Sequence, residues 1–505
     1  MSMSYKERLS ELDREGERSV TAQIVDAFAA AIEAGELAPG DQLPPTRELA
    51  ELSGVNHLTA ARAYRRLAEM GLVSGRVGRG TFVRQTAPEA AQLGEAEEDT
   101  AWQLYALPDE VESHADRVIG EMFRQAERED LIPLLVGYSA VTLFPAERFA
   151  EIIADIATTN AAAVHQYGDV EGARELRAEL AALGDEQGFA ASADEIVTTT
   201  GAAHGVGLTA SALLRPGDVA AVESPTFPGL LNAIRPTGAS ILPVPVDADG
   251  LDVDSLEQLL RRRQIKVLVV QPRLHNPTGR DLSPERRRRL VDLARREGFF
   301  IVEDGVYADL RFEGESLAPL RADAPDHVIY VSSLSKTTSS GLRVGWIAAR
   351  GPVLERIVAE KRNAELNTPP LTELALARFL AEGGYPEQIE RATAFFRERY
   401  EILNEAVAEH LGGVATVSKP LGGGHLWLTF SERVDERDLY EQAAREGVSF
   451  LPGAAMMAER PRRAHARLSF GYLDPPELRE GAKRLATAVR AVTRASRQRE
   501  ALPVA

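Results

Sequence analysis

The hydrophobic pattern changes period along the chain. Residues 20–35, VTAQIVDAFAAAIEAG, place apolar side chains at helical spacing and end in glycine, which predicts a helix. A turn-rich connector, APGDQLPP, follows at 38–45. TRELAELSGV (46–55) reads as a second helix, with Thr46 as N-cap and Gly54 at the turn. NHLTAARAYRRLAEMG (56–71) reads as a third, with Asn56 as N-cap and Gly71 after its end. LVSGRVGRGTFV (72–83) has the pattern of two short strands around a glycine-rich tip. A helix, a helix–turn–helix and a hairpin in this order make a winged helix-turn-helix.

From about residue 131 short apolar runs alternate with helical stretches. The strand candidates are EIVTTT (195–200), DVAAVES (218–224), KVLVVQP (266–272), FFIVED (299–304) and HVIYVSS (327–333). Helical stretches lie between them at 171–184, 203–214 and 283–297. This alternation predicts an α/β unit with a mostly parallel sheet covered by helices. From roughly 375 onward helices mix with strands such as GGHLWLTF (423–430), the pattern of a smaller α+β domain. The expected division is a winged helix over 1–84, a linker over 85–130 and the α/β unit over 131–505. The second half of the linker, ESHADRVIGEMFRQAERED (112–130), has helical character.

A length of 505 residues exceeds one ordinary domain. Cysteine is absent, so disulfides, thiolate metal sites and cysteine nucleophiles are excluded. The nine histidines are scattered with no HExxH pair, and no metal site is expected. The first residues, MSMSYKERLSELDREGERS, are charged, and no apolar run approaches the length of a membrane span. A cytoplasmic protein without a membrane partner is the expectation.

The net charge of −18 opposes DNA binding only when the chain is taken as a whole. Between Gln42 and Arg84 there are seven arginines (47, 62, 65, 66, 76, 79 and 84) against Glu48, Glu51 and Glu69. The next stretch, 85–100, carries five acids and no base. A basic module therefore precedes an acidic linker. The second helix of a helix-turn-helix enters the major groove with its first residues near base edges, here Asn56, His57, Leu58 and Thr59. Arg62, Arg65 and Arg66 follow, some of them facing the backbone. Arg47 is placed to hold a phosphate, and Arg76 and Arg79 sit on the wing. Phosphate contacts set register and affinity, and base contacts set specificity.

Polar residues recur at the carboxyl ends of the later strands, where open α/β sheets bind ligands. GAAHG (201–205) turns a strand into a helix, so its backbone N–H groups can face an anion. HNPTG (275–279) puts Asn276 at the end of a second strand, and VEDGVYADL puts Asp304 at the end of a third with Tyr307 beyond it. SLSKTTSSGLRVG (333–345) holds Lys336, with Arg343 seven residues later. RRRR at 286–289 is expected on the solvated face of a helix, without a role.

Residues 20–83 resemble the GntR family of winged-helix regulators, through LAPGDQLPPTRELAELSGVNHLTAARAYRRLAEMGLVSGRVGRGTFV. Many members carry arginine where His57 stands. Residues 131–500 resemble the fold-type I pyridoxal 5′-phosphate aminotransferases, through the order G-A-x, N-P-T-G, D-x-x-Y and S-x-S-K followed by arginine. The resemblance implies that Lys336 forms the internal Schiff base and that Asp304 pairs with the protonated ring nitrogen. It places Asn276 and Tyr307 on the ring hydroxyl and stacks Phe227 on the ring, where tyrosine is common. It puts the phosphate among Ser333, Arg343 and the N–H groups of Ala202 and Ala203, with Tyr167 of the partner subunit reaching it. Arg467, in ARLSFGYL, resembles the arginine that grips a substrate carboxylate.

The two halves in this order resemble the MocR subfamily of bacterial regulators. That resemblance implies a homodimer that binds double-stranded promoter DNA, with an amino compound or pyridoxal 5′-phosphate as effector. An amine would displace Lys336 as an external aldimine and bias the spacing of two DNA modules. An aminotransferase carrying a DNA-binding domain shares that first step, and a carrier that buffers the cofactor would lack a specific promoter.

Overall fold

The computed structural model describes residues 5–10, 12, 19–34, 36–38, 41–69, 72–76, 80–83, 120, 128, 130–431, 434–459 and 461–500. Gly71, Arg79, the acidic stretch 85–100 and most of the helix expected over 112–130 lie outside the described residues, as does the side chain of Arg76. The chain divides into two compact units, residues 1–111 and 112–505.

In the first unit, helices α1 (Tyr5–Ser10), α2 (Val20–Glu33), α3 (Thr46–Leu52) and α4 (His57–Glu69) precede an antiparallel hairpin, β1 (Val73–Arg76) and β2 (Gly80–Val83). Leu9, Ile24, Phe28, Leu49, Ala60 and Leu67 form its core at helical spacing. Asp41–Leu43 lies along the hairpin, with Leu43 N–H donating to Thr81 O at 2.8 Å and Val83 N–H to Asp41 O at 2.9 Å. Thr46 is not the N-cap expected from the sequence. Pro45 holds that position, and its carbonyl accepts the Leu49 N–H at 2.9 Å.

The second unit is built on one large sheet. Its main elements, in chain order, are α5 (Arg174–Gln187), β3 (Ile196–Thr199), α6 (Ala202–Leu213), β4 (Val219–Ser224), β5 (Ser240–Asp247), β6 (Gly250–Leu251), β7 (Val267–Val270), α7 (Pro284–Glu297), β8 (Phe300–Asp304), β9 (Val328–Ser333) and β10 (Gly345–Ala348), with further helices around and between them, such as Ala146–Thr159, Val253–Leu260 and Pro352–Ala364. The strand order is β3-β10-β9-β8-β7-β4-β5-β6. The run β9-β8-β7-β4-β5 is parallel, whereas β10 is antiparallel to both β9 and β3. Every residue of β3, β7 and β9 is buried, as expected for strands covered on both faces.

A smaller domain follows, with the long helix α8 (Gly384–Leu411), strands β11 (Ala415–Val417), β12 (His425–Phe430), β13 (Leu451–Pro452) and β14 (His465–Ser469), and helix α9 (Pro475–Glu500). Its four-stranded sheet has the order β11-β12-β14-β13. Phe396, Leu426, Leu468 and Leu485 lie in the core between that sheet and the two helices.

Two further expectations are corrected. β7 ends at Val270, so Asn276 stands six residues beyond the strand, in a turn with a cis Asn276–Pro277 bond. The arginines 286–289 are only in part a solvated face: Arg288 is exposed, but its neighbours are engaged. Arg286 pairs with Asp247 at 2.6 Å, Arg289 pairs with Asp254, and Arg287 is buried with its guanidinium on the Ala318 carbonyl. The turn from β5 into β6 brings Asp247 and Gly250 to the start of α7, so Arg286 anchors the sheet edge, whereas Arg289 reaches Asp254 in the helix Val253–Leu260.

Candidate functional site

In the first unit the N-terminal end of α4 is open. Asn56 caps it as expected: its Oδ1 accepts the Thr59 N–H at 2.8 Å and the Thr59 hydroxyl at 3.0 Å. Arg47, Asn56, His57, Arg62 and Arg66 are exposed, and Thr59 is half-buried under its bonds to Asn56. Arg47 and His57 line one open groove together with Ala50, Glu51, Gly54 and Val55. Leu58, in the first turn of α4, is 70% exposed. Arg76 is in β1 at the wing.

In the second unit the loops after β7 and β9 and the last residue of β8 bring Asn276, Lys336 and Asp304 to one edge of the sheet, and β14 supplies Arg467. The loop that carries Lys336 is pinned from below. Gln388 of α8 donates to the Thr337 carbonyl at 2.8 Å, and the Thr337 and Thr338 hydroxyls both donate to Leu334 O. The Lys336 Nζ donates to the Gly137 carbonyl at 2.8 Å. Burial, then the charges of Arg467 and Arg343, push this amine down to about 8, against a smaller upward pull from Asp304. About a tenth of it is therefore neutral and nucleophilic at pH 7, and about half at pH 8.

Asp304 is 5% exposed. Its Oδ1 accepts the Val306 N–H at 3.1 Å and its Oδ2 accepts the Gln271 side-chain amide at 2.9 Å. Burial pushes it up to about 6, opposed by those two hydrogen bonds, so it is an anion at neutral pH. Behind it Glu223 accepts the Gln271 backbone N–H at 2.7 Å and stands 3.5 Å from His275. Burial raises Glu223 to about 8 and lowers His275 to about 4, so both are neutral supports.

Arg467 is 3% exposed, and no carboxylate pairs with it among the described residues. Its guanidinium donates to Leu135 O at 3.0 Å and to Asn276 Oδ1 at 3.4 Å, and its Nε has no partner. Burial lowers it to about 10. A buried cation without a counter-ion is costly unless an anion arrives.

Arg343 takes a left-handed backbone, φ 54°, and donates to the Thr200 carbonyl at 2.8 Å. Gly201, at φ 101°, lies against it; a Cβ there would fall 2.6 Å from Arg343 Nη2. Gly201 is also the N-cap of α6, and no side chain caps that end, so the N–H groups of Ala202 and Ala203 open beside the guanidinium. Ser333 turns inward instead: its hydroxyl bonds Ser335 Oγ at 2.7 Å and the Val344 carbonyl at 3.0 Å. Tyr307 is buried and its Oη lies 2.9 Å from His425 Nε2. Phe227 caps the helix Pro228–Ile234 after the cis Ser224–Pro225 bond and packs on the apolar cluster beneath β4. Tyr167 stands apart, 84% exposed.

The structure thus brings together Lys336, Asp304, Asn276, Tyr307, Arg467, Arg343, Ala202 and Ala203. The donor set fits pyridoxal 5′-phosphate: an amine for the aldehyde, a buried carboxylate for the ring nitrogen, and a cation with helix amides for the phosphate. The close approach of Arg343 to Gly201 and the unpartnered Nε of Arg467 are observations of this structure that agree with that fit. Sequence reasoning did not single out Gln271, Glu223, Gly137 or His425, which line or support the same place. For His425 the only signal was its position just after the run Gly422–Gly424.

The family "Aminotransferase class I and II" matches residues 139–485, and "Bacterial regulatory proteins, gntR family" matches residues 20–83. Aromatic-amino-acid aminotransferase 1 of Thermococcus litoralis is 32% identical over 380 residues, covering 74% of this chain and 91% of its own. The probable rhizopine catabolism regulatory protein MocR of Rhizobium meliloti is 27% identical over 487 residues, covering 94% of this chain and 95% of its own. Among solved structures, LysN, the alpha-aminoadipate aminotransferase of Thermus thermophilus, is similar with a TM-score of 0.70 at 30% identity. That match covers 75% of this chain and 95% of LysN.

Proposed function

The chain belongs to the aminotransferase class I and II family, with a gntR-type module ahead of that domain, and from this premise we propose that it is a pyridoxal 5′-phosphate-dependent transcription regulator. The observation that carries this reading is that one chain holds both an amine-capturing site and an exposed DNA-reading helix. The pairing matches the HTH-type regulators and MocR over nearly the full length.

The cofactor supplies an aldehyde that condenses with primary amines and a ring that spreads negative charge. Lys336 would provide the amine for that aldehyde. Asp304 holds the protonated ring nitrogen through its charge, and Gln271 and Val306 N–H hold Asp304 in place. Asn276 and Tyr307 take the ring hydroxyl. Arg343, Ser333 and the Ala202 and Ala203 amides take the phosphate, Ser333 after its hydroxyl turns outward. Phe227 lies against the ring. Arg467 binds a carboxylate on the effector, which makes the effector an amino acid or similar compound.

A homodimer completes the site, with Tyr167 of the partner subunit at the phosphate; the exposed Tyr167, Val164 and Leu366 fit burial against a second copy. On DNA, Arg47, Arg62, Arg66, Arg76 and Arg79 hold phosphates, and Asn56, His57 and Thr59 read base edges. Residues 1–84 and 131–505 act as separate modules joined by 85–130.

The test is binding of the full chain to the intergenic DNA beside its gene, by anisotropy, with and without pyridoxal 5′-phosphate and carboxylate-bearing amines. Affinity or footprint should change with the effector. Identical binding under all conditions, with the cofactor site loaded, removes the sensing role. A working aminotransferase is the second reading. It is favoured by Lys336, whose amine near 8 suits a general base for an α-proton once it is free. Many turnovers with an amino acid and a keto acid would establish it.

A further inference from the structure

His425 opens β12 and is 4% exposed. Its register partner across the small sheet is Ser469 of β14. Its two ring nitrogens each meet a hydroxyl: Nε2 lies 2.9 Å from Tyr307 Oη and Nδ1 lies 3.1 Å from Ser469 Oγ. The imidazole stands edge-on to the Tyr307 ring, with centroids 5.3 Å apart and planes at 72°. A Cβ on Gly137 would lie 3.6 Å from His425 Cε1 and 3.7 Å from Arg467 Nη2, so the histidine shares a wall with the guanidinium.

Burial, then the charges of Arg467 and Lys336, hold His425 well below the usual range, so the imidazole is neutral. Burial likewise holds the Tyr307 phenol protonated, against Arg467 and with Asp304. A neutral imidazole has one N–H donor and one acceptor. Ser469 is buried, and Nδ1 is the acceptor its hydroxyl reaches among the described residues. If Ser469 donates to Nδ1, Nε2–H donates to Tyr307 Oη. The Tyr307 proton must then point away from His425. In the opposite tautomer the Ser469 hydrogen is buried without a partner, and Tyr307 spends its own proton on His425. When an acceptor faces Tyr307, only the first tautomer satisfies all three groups.

We infer that His425 is a positioning residue, which, locked by Ser469, turns Tyr307 into a hydrogen-bond donor toward the ring hydroxyl of bound pyridoxal 5′-phosphate. The inference rests on the cofactor reading above. His425 touches the cofactor's holder and not the cofactor. A donor to an anionic ring oxygen favours the deprotonated form of the bound group, so losing the backing of Tyr307 raises the pH at which its visible band titrates.

The experiment is a pH titration of that absorbance band in the full-length, cofactor-loaded protein and in His425→Phe, His425→Gln, Ser469→Ala and Tyr307→Phe. His425→Phe should move the midpoint up by about half a unit to one unit. Tyr307→Phe should move it the same way. The double variant should add little to Tyr307→Phe alone, because both act through one bond. His425→Gln, whose amide can still donate to Tyr307, should restore most of the wild-type midpoint, which a merely structural role would not predict. In the cofactor-loaded wild type, nitrogen chemical shifts of labelled histidine should show His425 protonated at Nε2 and bare at Nδ1, independent of any variant's folding. A normal band with an unmoved midpoint in His425→Phe overturns the inference. So does full additivity with Tyr307→Phe, or the reverse tautomer in solution. No visible band in the wild type strikes the cofactor reading itself.

Discussion

The two units place most of their functional groups in opposite environments, although Arg343 and Tyr167 of the second unit are exposed. On α4 and around it, Arg47, Asn56, His57, Arg62 and Arg66 are all exposed. At the edge of the large sheet, Asp304, Asn276, Tyr307 and Arg467 are all buried. An exposed arginine keeps its water, costs little and is screened by salt. A buried charge has lost its water and is worth much more to whatever pairs with it. The first unit should therefore act by the number of its charges and respond to ionic strength. The second should act through single groups and respond to pH.

The sharpest way to break this contrast is Lys336→Ala. It should abolish the absorbance band that depends on the bond between Lys336 and the cofactor, and the effect of amines on DNA binding, while binding to DNA itself survives. Absorbance and anisotropy on one preparation check both halves. Next in size is Arg467→Ala, which removes one partner of a buried ion pair and should weaken a carboxylate-bearing effector by about 2–5 kcal/mol. Titration of the effector against its des-carboxy amine measures it; an equal loss for both compounds would show that Arg467 does not hold the carboxylate.

The pH response follows from the amine near 8. Cofactor capture needs Lys336 neutral, so its rate should climb about tenfold per pH unit on the acid side and level off above about pH 8. Arg467→Ala removes a neighbouring positive charge, which favours the charged amine, and should move that plateau to higher pH. Stopped-flow absorbance reads both.

In the first unit, Arg62→Ala or Arg66→Ala should lower the slope of log affinity against log salt by about 0.9 for each phosphate that is no longer neutralised. An unchanged slope would mean that the arginine does not face the DNA backbone. The smallest expected effect is Asn56→Ala, about 1 kcal/mol through removal of the cap of α4. Faster hydrogen exchange at the Thr59 amide, with the second unit unaffected, reports it.

Much of the architecture was legible because its strands are buried on both faces and read as continuous apolar runs. β3, β4, β7, β8 and β9 begin and end within two residues of the runs that marked them. β10 was missed because Gly345–Ala348 is a four-residue run directly after the polar Lys336 loop. It lies between β9 and β3 and runs antiparallel to both, a placement that no period reports. Thr46 was misplaced as a cap because Pro45 can hold that position through its carbonyl alone. The arginine run was misread because Arg286 and Arg289 find their acids 39 and 35 residues away.

Within the site, the residues that fall in short local motifs were visible: Lys336 and Arg343 in SLSKTTSSGLRVG, Asn276 in HNPTG, and Asp304 and Tyr307 in VEDGVYADL. Gln271, Glu223 and His425 were not, because each acts on a residue far along the chain. Gln271 bonds Asp304 across 33 residues, and His425 bonds Tyr307 across 118.

By itself the sequence determined which side chains carry chemistry and which elements hold them, since turn residues and apolar periods are local properties of the backbone. Only the tertiary structure decided how far each group would be stripped of water and which neighbour would face it. Those two conditions turn an ordinary lysine, aspartate and arginine into an amine near 8, a carboxyl near 6 and an unpaired buried cation. They also set a histidine from the small domain against a tyrosine from the large one, because desolvation and Coulomb interaction depend on distance in space.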